Sequence, residues 1–201
     1  MSPSVSRGFS RSRPATDDAR LPPGQHLVEG FPVLSAGPTP HVPLDQWNLT
    51  VRAGNDTARR LTWPEFRELP SETITADIHC VTSWSKLDTV WEGVSVDTLL
   101  EGSGIDKPYV IAVCDGGYTT NLDVADVTGG RAWLAHAYGG EPLAPEHGGP
   151  VRLLVPHLYL WKSAKWVREL VFADENTPGF WESLGYHARG DPWREQRYSD
   201  D

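Results

Sequence analysis

Short runs of alternating hydrophobic and polar residues recur along the chain and predict a protein built mainly from strands and loops. Trp47, Leu49 and Val51 alternate with polar neighbours, a period of two that is typical of a half-buried strand. Further strand-like patterns occur over 109–113, 118–122, 151–155 and 165–172. The first two of these are separated by the turn sequence Asp-Gly-Gly, which predicts a hairpin.

Helical signals are short by comparison. Thr62 precedes Trp63-Pro64-Glu65, which combines an N-cap, an early proline and a capping-box glutamate. A second short helix is predicted over 94–100, and a helix or turn over 123–126. With 19 glycines and 17 prolines in 201 residues, turns are frequent. The sequence therefore predicts an α+β fold, mostly β and loop.

The two ends of the chain differ from its middle. Residues 1–20 are rich in Ser, Arg and Pro and lack an apolar signal-peptide core, so we expect a disordered leader and a cytoplasmic protein with no membrane span. The last segment, from Thr177, carries aromatic residues that predict an irregular tail packed on the domain. Because no inner linker is evident, residues 21–201 are predicted to form one domain.

Charge and cysteine content narrow the functional classes. The net charge of −9 argues against non-specific binding to nucleic acid or to anionic membranes. Cys80 and Cys114 are the two cysteines of the chain, too few for the four thiolates of an ordinary iron–sulfur cluster. No C-x-x-C-H motif is present for covalent haem. A disulfide between the two cysteines stays open at this stage.

The stretch around Cys80 is the first candidate for chemistry. Ile78 and Val81 favour a strand, and Thr82, Ser83 and Ser85 then break the apolar pattern as a loop would. A cysteine at such a junction can present a thiolate to a pocket. The alternative is a buried, inert cysteine, because free cysteines are among the most buried residues.

A second candidate is the segment that concentrates basic and polar groups around turns. It begins with His147-Gly-Gly-Pro-Val-Arg152 and continues thirteen residues later at Lys165, beside Ser163. Arg binds phosphate as a bidentate fork, Lys as a point charge, and a serine with backbone N–H groups completes such a nest. The alternative is a solvated loop with surface charges.

Other chemistries find little support. Seven histidines are present, but no pair lies at i,i+4 spacing on a predicted helix and no second cysteine lies near Cys80, so zinc spacings are absent. No G-x-S-x-G motif marks a serine hydrolase. A metal-independent hydrolase with Cys80 as nucleophile and a distant histidine stays open.

Several segments, taken together, resemble the sulfite oxidase superfamily, in particular the small bacterial sulfite-oxidase-like oxidoreductases and the catalytic subunit of protein-methionine-sulfoxide reductase. The motif His-Cys-Val-Thr-Ser-Trp-Ser over 79–85, followed by Trp-Glu-Gly-Val, is similar to the family's molybdenum–cysteine segment. The other matching segments follow in the family's order at 115–122, 147–152, 162–166 and 179–187. The resemblance covers about residues 20–201, so the chain corresponds to the catalytic domain alone.

The resemblance implies a molybdenum–molybdopterin cofactor and assigns roles to individual residues. Cys80 falls on the position whose thiolate ligates the metal, which suits the preference of soft ligands for polarizable metals. Tyr118 falls where sulfite oxidases carry an active-site tyrosine. The positions that the resemblance assigns to contacts with the pterin or its phosphate are His147, Arg152, Ser163, Ala164, Lys165, Cys114 and, in the N-terminal contact loop, His26 and Glu29.

Missing arginines shape the expected activity. Sulfite oxidases surround the metal with arginines, but the position five residues after the cysteine is Ser85 here, and the N-terminal equivalent is Val28. We therefore expect two-electron oxygen-atom transfer on a small S-oxo or N-oxo substrate, with a separate electron-transfer partner. The alternatives are sulfite oxidation and a degenerate module that binds the pterin without turnover.

Overall fold

The computed structural model describes residues 19–201 and divides its strands between two sheets. The strands are β1 His26–Leu27, β2 Asn48–Ala53, β3 Asp56–Thr62, β4 Glu72–His79, β5 Trp84–Ser95, β6 Tyr109–Cys114, β7 Thr119–Asp123, β8 Trp133–Tyr138, β9 Glu141–Pro142, β10 Arg152–Leu154 and β11 Val167–Ala173. The helices are α1 Trp63–Glu68, α2 Val96–Leu100 and α3 Val124–Val127. Short 3₁₀ turns occupy Asp115–Gly117, Pro145–His147, Glu182–Leu184 and Pro192–Arg194.

The first sheet is organised around β5, the longest strand of the described chain. One edge of β5 pairs with β4 in an antiparallel hairpin. The other edge pairs with β1 at its beginning and with β8 at its end, and β8 continues to β9 and β10. The tight turn between β4 and β5 contains Cys80, so this hairpin carries the cysteine.

The second sheet has the order β3-β2-β11-β6-β7. Its central strand β11 runs parallel to β2 and antiparallel to β6, and the β6–β7 hairpin predicted from the sequence forms one edge. Phe66 of α1 and Leu99 of α2 are buried in the same core cluster as residues of both sheets. The helix α1 begins as the sequence predicts, with Glu65 bound to Thr62, and α2 is capped by Ser95, which accepts from the Thr98 amide.

Alternating side chains divide the first sheet into two faces. Leu134 of β8 and Leu153 of β10 pack against the second sheet, in the main core. Their neighbours Ala135 and Leu154 join a separate cluster that includes Cys80. Because Arg152 lies two positions before Leu154, it points to this second face as well. The alternation in β10 thus brings a buried arginine to the side of the sheet that carries the cysteine.

The predicted fold class is confirmed, with strands and loops dominating a single domain. The largest error concerns Trp84 and Ser85, predicted as loop but forming the start of β5. Thr82 and Ser83 do lie in the turn, and Thr82 is exposed. Trp84 and Ser85 are buried, because Trp84 packs in the cluster that includes Cys80 and the Ser85 hydroxyl contacts His79 and Gln25. The predicted second helix begins at Val96, two residues later than expected, because β5 continues through Ser95.

The predicted leader falls almost entirely on residues 1–18, which lie outside the described residues. Arg20, its last residue, forms salt bridges with Asp77 of β4 and Asp88 of β5. Over residues 19–201 we find no helix that is both long and apolar enough to cross a membrane.

Candidate active site

Cys80 lies in the turn that joins β4 to β5, where the backbone is tightly constrained. The Cys80 amide donates to the Trp84 carbonyl at 2.8 Å, and the Ser83 amide donates to the Cys80 carbonyl at 3.0 Å. Ser83 has a φ of 72°, a left-handed conformation that lets the chain reverse within so few residues. The Thr82 hydroxyl donates to Cys80 Sγ at 3.2 Å. The turn therefore fixes the position of Cys80 and places a hydroxyl donor beside its sulfur.

Cys80 opens into a cavity of about 530 Å³, a volume typical of small-molecule and cofactor sites. The turn after β6, the segment after β10, the loop at 31–40 and the segment at 180–186 also line it. Six of the residues predicted to form the site line this cavity: Cys80, Tyr118, Arg152, Ser163, Ala164 and Lys165.

Arg152 is the buried cation of the cavity, with only 2% of its surface exposed. Its Nη1 donates to the His147 carbonyl at 2.9 Å and its Nη2 to the Ser163 carbonyl at 2.7 Å. Burial lowers the pKa of Arg152 to about 10, against the opposing effect of neighbours that include Cys80. Its Nε is buried and has no hydrogen-bond partner among the described residues, so this donor is available to an anion.

His147 lies behind the cavity and contacts it through Phe31. The two rings stack with centroids 4.1 Å apart and an interplanar angle of 8°. Burial, Arg152 and Lys165 together lower the pKa of His147, and its Nδ1 is buried without a partner in residues 19–201. The chain that follows His147 requires Gly149, because a Cβ there would come within 1.9 Å of the Leu143 carbonyl oxygen.

Lys165 completes what we call the basic wall, which consists of His147, Arg152 and Lys165. Its Nζ donates to the carbonyls of Leu34 at 2.8 Å and Glu146 at 2.6 Å. Burial and the charge of Arg152 lower the pKa of Lys165 to about 8. Three nitrogen-bearing side chains thus converge beside the cavity. Without an anion, it is costly to bury them together.

The aromatic wall consists of Tyr118, Trp161, Phe180, Trp181 and Tyr186. Its rings form a continuous chain: centroids are 5.9 Å apart for Tyr118–Phe180, 5.1 Å for Phe180–Trp181, 5.0 Å for Trp181–Tyr186 and 5.2 Å for Trp161–Tyr186. The Tyr118 hydroxyl donates to the Trp161 carbonyl at 2.6 Å, and burial raises the Tyr118 pKa well above its usual value. The hydroxyl hydrogen is therefore engaged within the protein.

Four residues predicted to contact the cofactor do not line the cavity: His147, which lies behind Phe31, and Cys114, His26 and Glu29. Cys114 ends β6 within the main core, where burial raises its pKa far above the usual range, and both cysteines are free thiols. His26 belongs to β1 and Glu29 follows it, and both are exposed. Their assignment to cofactor contacts stays a prediction.

Several residues of the site were missed from the sequence. Phe31, Leu34 and the rest of the loop at 31–40 carry no recognisable motif, and they reach the cavity only through tertiary packing. Trp161 and Tyr186 also line the cavity, and the sequence assigns no role to either.

The geometry is that of a cofactor-dependent oxidoreductase: a single thiol that suits a soft metal, a basic wall that suits an anion, and space for a small substrate. The model of the oxidoreductase molybdopterin-binding domain matches residues 36–181, and the chain belongs to this family. It is an enzyme whose cofactor is molybdenum–molybdopterin.

The relatives have different functional names. The chain is 44% identical to the uncharacterised oxidoreductase YuiH of Bacillus subtilis, over 96% of this chain and 99% of that protein. It is 31% identical to a provisionally named protein-methionine-sulfoxide reductase subunit of Azospira oryzae, over 63% of this chain and 48% of that protein. The sulfane dehydrogenase SoxCD of Paracoccus pantotrophus shares the fold, with a TM-score of 0.61 and 18% identity over 88% of this chain and 57% of that one.

The residues present fit this cofactor. Arg152 Nε and His147 Nδ1 are buried polar atoms with no partner in the described part of the chain. Arg152 lines the cavity with Lys165, and His147 lies behind Phe31. A phosphate-bearing group would supply the acceptors that these atoms lack. The separate position of Cys80, with only the Thr82 hydroxyl as a hydrogen-bond donor, leaves its sulfur free for a metal.

Proposed function

We propose that this enzyme transfers an oxygen atom, with two electrons, at a small neutral S-oxo or N-oxo substrate. The observation that carries the proposal is the aromatic wall. Among the cavity-lining residues, the charged side chains are Asp115, Arg152 and Lys165, and the two cations both donate to backbone carbonyls. The remaining surface suits an uncharged ligand with some apolar area.

The residues divide the work between binding the cofactor and shaping the substrate pocket. In our proposal Cys80 ligates the metal, the basic wall and Ser163 hold the pterin and its phosphate, and the aromatic wall excludes water from the substrate. The cofactor, when bound, supplies the redox chemistry of oxygen-atom transfer. Tyr118 shapes the pocket, and it can donate to an oxo group only by releasing the Trp161 carbonyl.

Sulfite is disfavoured because Ser85 and Val28 stand where sulfite oxidases carry arginines. Ser85 is fully buried, and its hydroxyl lies 2.8 Å from His79 Nδ1 and donates to Gln25 Oε1 at 3.2 Å. Val28 does not line the cavity. A desolvated dianion without paired cations is costly, so sulfite lacks the partners that it needs once the basic wall holds the cofactor.

The reaction requires an external source of electrons. Conversion of R₂S=O to R₂S and water consumes two electrons and two protons. Because the part of the chain that is described contains one domain and no second redox group is implied by its residues, we propose a separate electron-transfer protein as the donor. The relative in Azospira oryzae carries a name that includes protein-methionine-sulfoxide reduction, which supports the S-oxo class.

Steady-state assays on molybdenum-loaded protein test this function. With a reduced viologen dye as the electron donor, we expect reduction of dimethyl sulfoxide or trimethylamine N-oxide. With an artificial electron acceptor, sulfite oxidation should be weak. Sulfite turnover with a KM of about 1 μM to 1 mM, the range of good substrates, would overturn the proposal. Fully loaded protein that turns over none of these substrates would favour the degenerate pterin-binding module.

A further inference from the structure

A buried ion pair lies behind the aromatic wall and has no role in the function proposed above. Lys162 Nζ lies 2.5 Å from Glu182 Oε1, and the two side chains are 0% and 2% exposed. Lys162 belongs to the segment after β10, and Glu182 begins the 3₁₀ turn Glu182–Leu184 near the end of the chain. Burial lowers the pKa of Lys162, against the opposing charge of Glu182.

The pair is poorly explained as a device for stability. Desolvation of two charges is costly, and replacement of buried ion pairs by apolar residues is often neutral or stabilising. Glu182 Oε2 has no hydrogen-bond partner among residues 19–201, so half of the carboxylate is left unsatisfied. The other half is crowded, since Oε1 accepts from Lys162, from Thr120 Oγ1 at 2.9 Å and from Trp161 Nε1 at 3.0 Å.

The bond to Trp161 connects the ion pair to the cavity. The indole of Trp161 lines the cavity, lies edge-on to Tyr186 and stacks on Tyr159 with an interplanar angle of 19°. Its backbone carbonyl accepts from the Tyr118 hydroxyl. Trp161 is thus held at both ends, by Glu182 at the ring nitrogen and by Tyr118 at the backbone.

Two glycines show how closely the surroundings fit. A Cβ at Gly190 would come within 2.5 Å of the Trp161 ring, and a Cβ at Gly179 would come within 2.6 Å of Glu182 Oε2. Both glycines belong to the C-terminal segment. The backbone of this segment therefore packs directly against the indole and against the carboxylate that binds it.

We propose that Glu182 is a positioning residue that fixes Trp161 as the specificity-determining surface of the substrate pocket. Lys162 forms an ion pair with the buried carboxylate, and a charged acceptor binds the indole N–H more strongly than a neutral one. The orientation of the indole then sets the size of neutral substrate that fits beside it. The inference deepens the proposed function, and rests on it for the class of substrate.

The test follows the Trp161 indole N–H by NMR in ¹⁵N-tryptophan-labelled, cofactor-loaded protein, with W161F identifying the signal. In E182Q we expect the hydrogen-exchange rate of this N–H to rise about tenfold, because the neutral amide oxygen is a weaker acceptor than the carboxylate. T120V is the matched control, because it removes another donor to the same Oε1 without touching Trp161, and it should leave that rate nearly unchanged.

Binding is measured in the same samples by titration with methyl phenyl sulfoxide in the absence of a reductant. We expect the Trp161 signal to shift in the wild type and the Kd to weaken about tenfold in E182Q, the effect of one poorly fitting group in an apolar pocket. If E182Q does not fold, the uncharged double variant K162M/E182L lacks the same acceptor and should show the same changes.

Unchanged exchange in E182Q would overturn the role of Glu182. A wild-type Trp161 signal that does not respond to the sulfoxide, or a Kd that is equal in E182Q and T120V, would overturn the role of Trp161 in specificity. Failure of the proposed function gives a different result, namely normal titration without turnover in the dye-linked assay.

Discussion

The aromatic wall and two residues of the basic wall, Arg152 and Lys165, line the same cavity, but the two walls are fixed by different means. Arg152 projects from a strand, and its guanidinium bridges two backbone carbonyls, so its position is set by the sheet. The aromatic wall comes from irregular segments around Tyr118, Trp161 and Tyr186, which are fixed by ring contacts and by the buried Glu182. Cys80 lines the same cavity as Arg152 and Tyr186.

The contrast suggests a division between a cofactor end and a substrate end. Backbone-anchored cations present a fixed arrangement of donors, which suits a cofactor that never varies. Side-chain contacts between loops allow the aromatic wall to change by substitution while the sheets are retained. One fold can host different activities when the residues of its site change. The predictions below separate the two ends experimentally.

The largest effect is expected from a comparison of the two cysteines. C80S should lose more than about a hundredfold of activity and most of its molybdenum. Loss of a residue that only supports a metal ligand costs about 10–100-fold, and loss of the ligand itself should cost more. C114A should retain its molybdenum, since Cys114 is packed in the main core. Metal content by mass spectrometry, normalised to protein, measures both. Equal molybdenum in C80S and the wild type would contradict the assignment of Cys80.

The next largest effect concerns the basic wall. R152A should fold with a reduced pterin content, as loss of a charge-assisted contact lowers affinity about tenfold to hundredfold. The pterin content of R152K should lie between those of R152A and the wild type, because lysine keeps the charge but not the two-pronged geometry of arginine. Pterin fluorescence after oxidative release, compared with far-UV circular dichroism, separates cofactor loss from misfolding. K107A is the control, because it removes a cation from a surface ion pair with Asp174. An equal loss of pterin in K107A would contradict a specific role for Arg152.

A smaller effect is expected from pH. In the cofactor-free protein, burial and Arg152 lower the pKa of Lys165 to about 8. The protonated form binds an anion, so affinity is fully present below this pKa and falls by up to about tenfold per pH unit above it. K165R should move the decline to higher pH, because arginine stays charged. The affinity of the apoprotein for the cofactor, measured between pH 7 and 10, tests this prediction. Identical pH profiles for the wild type and K165R would show that Lys165 does not bind the anion.

Sequence patterns predicted the parts of the molecule that depend on local order. The alternation around Leu49, the β6–β7 hairpin and the capping box at Thr62 all follow from neighbouring residues, and the structure contains each of them. The start of β5 was missed, because Ser85 is polar and its burial depends on contacts with β4 and with the segment before β1. Local patterns cannot show which segments pack together.

The same limit applies to the cavity. The segments around Cys80 and Arg152 were found by motif, and the structure brings six of the predicted residues to one cavity. Phe31 and its stacking on His147 could not be predicted, because more than a hundred residues separate the two rings in the sequence. The hydrogen bond that Trp161 donates to Glu182 likewise depends on the fold of the tail, for which the sequence predicted aromatic packing but no polar contact.

The central claim, that this cavity holds molybdenum–molybdopterin with Cys80 as its protein ligand, is tested most directly by anomalous X-ray diffraction at the molybdenum edge. Crystals of protein purified from a host that makes the pterin should show one anomalous peak per chain, beside Cys80 Sγ and between the two walls. A peak away from Cys80, or zinc in its place in protein from such a host, would contradict the account.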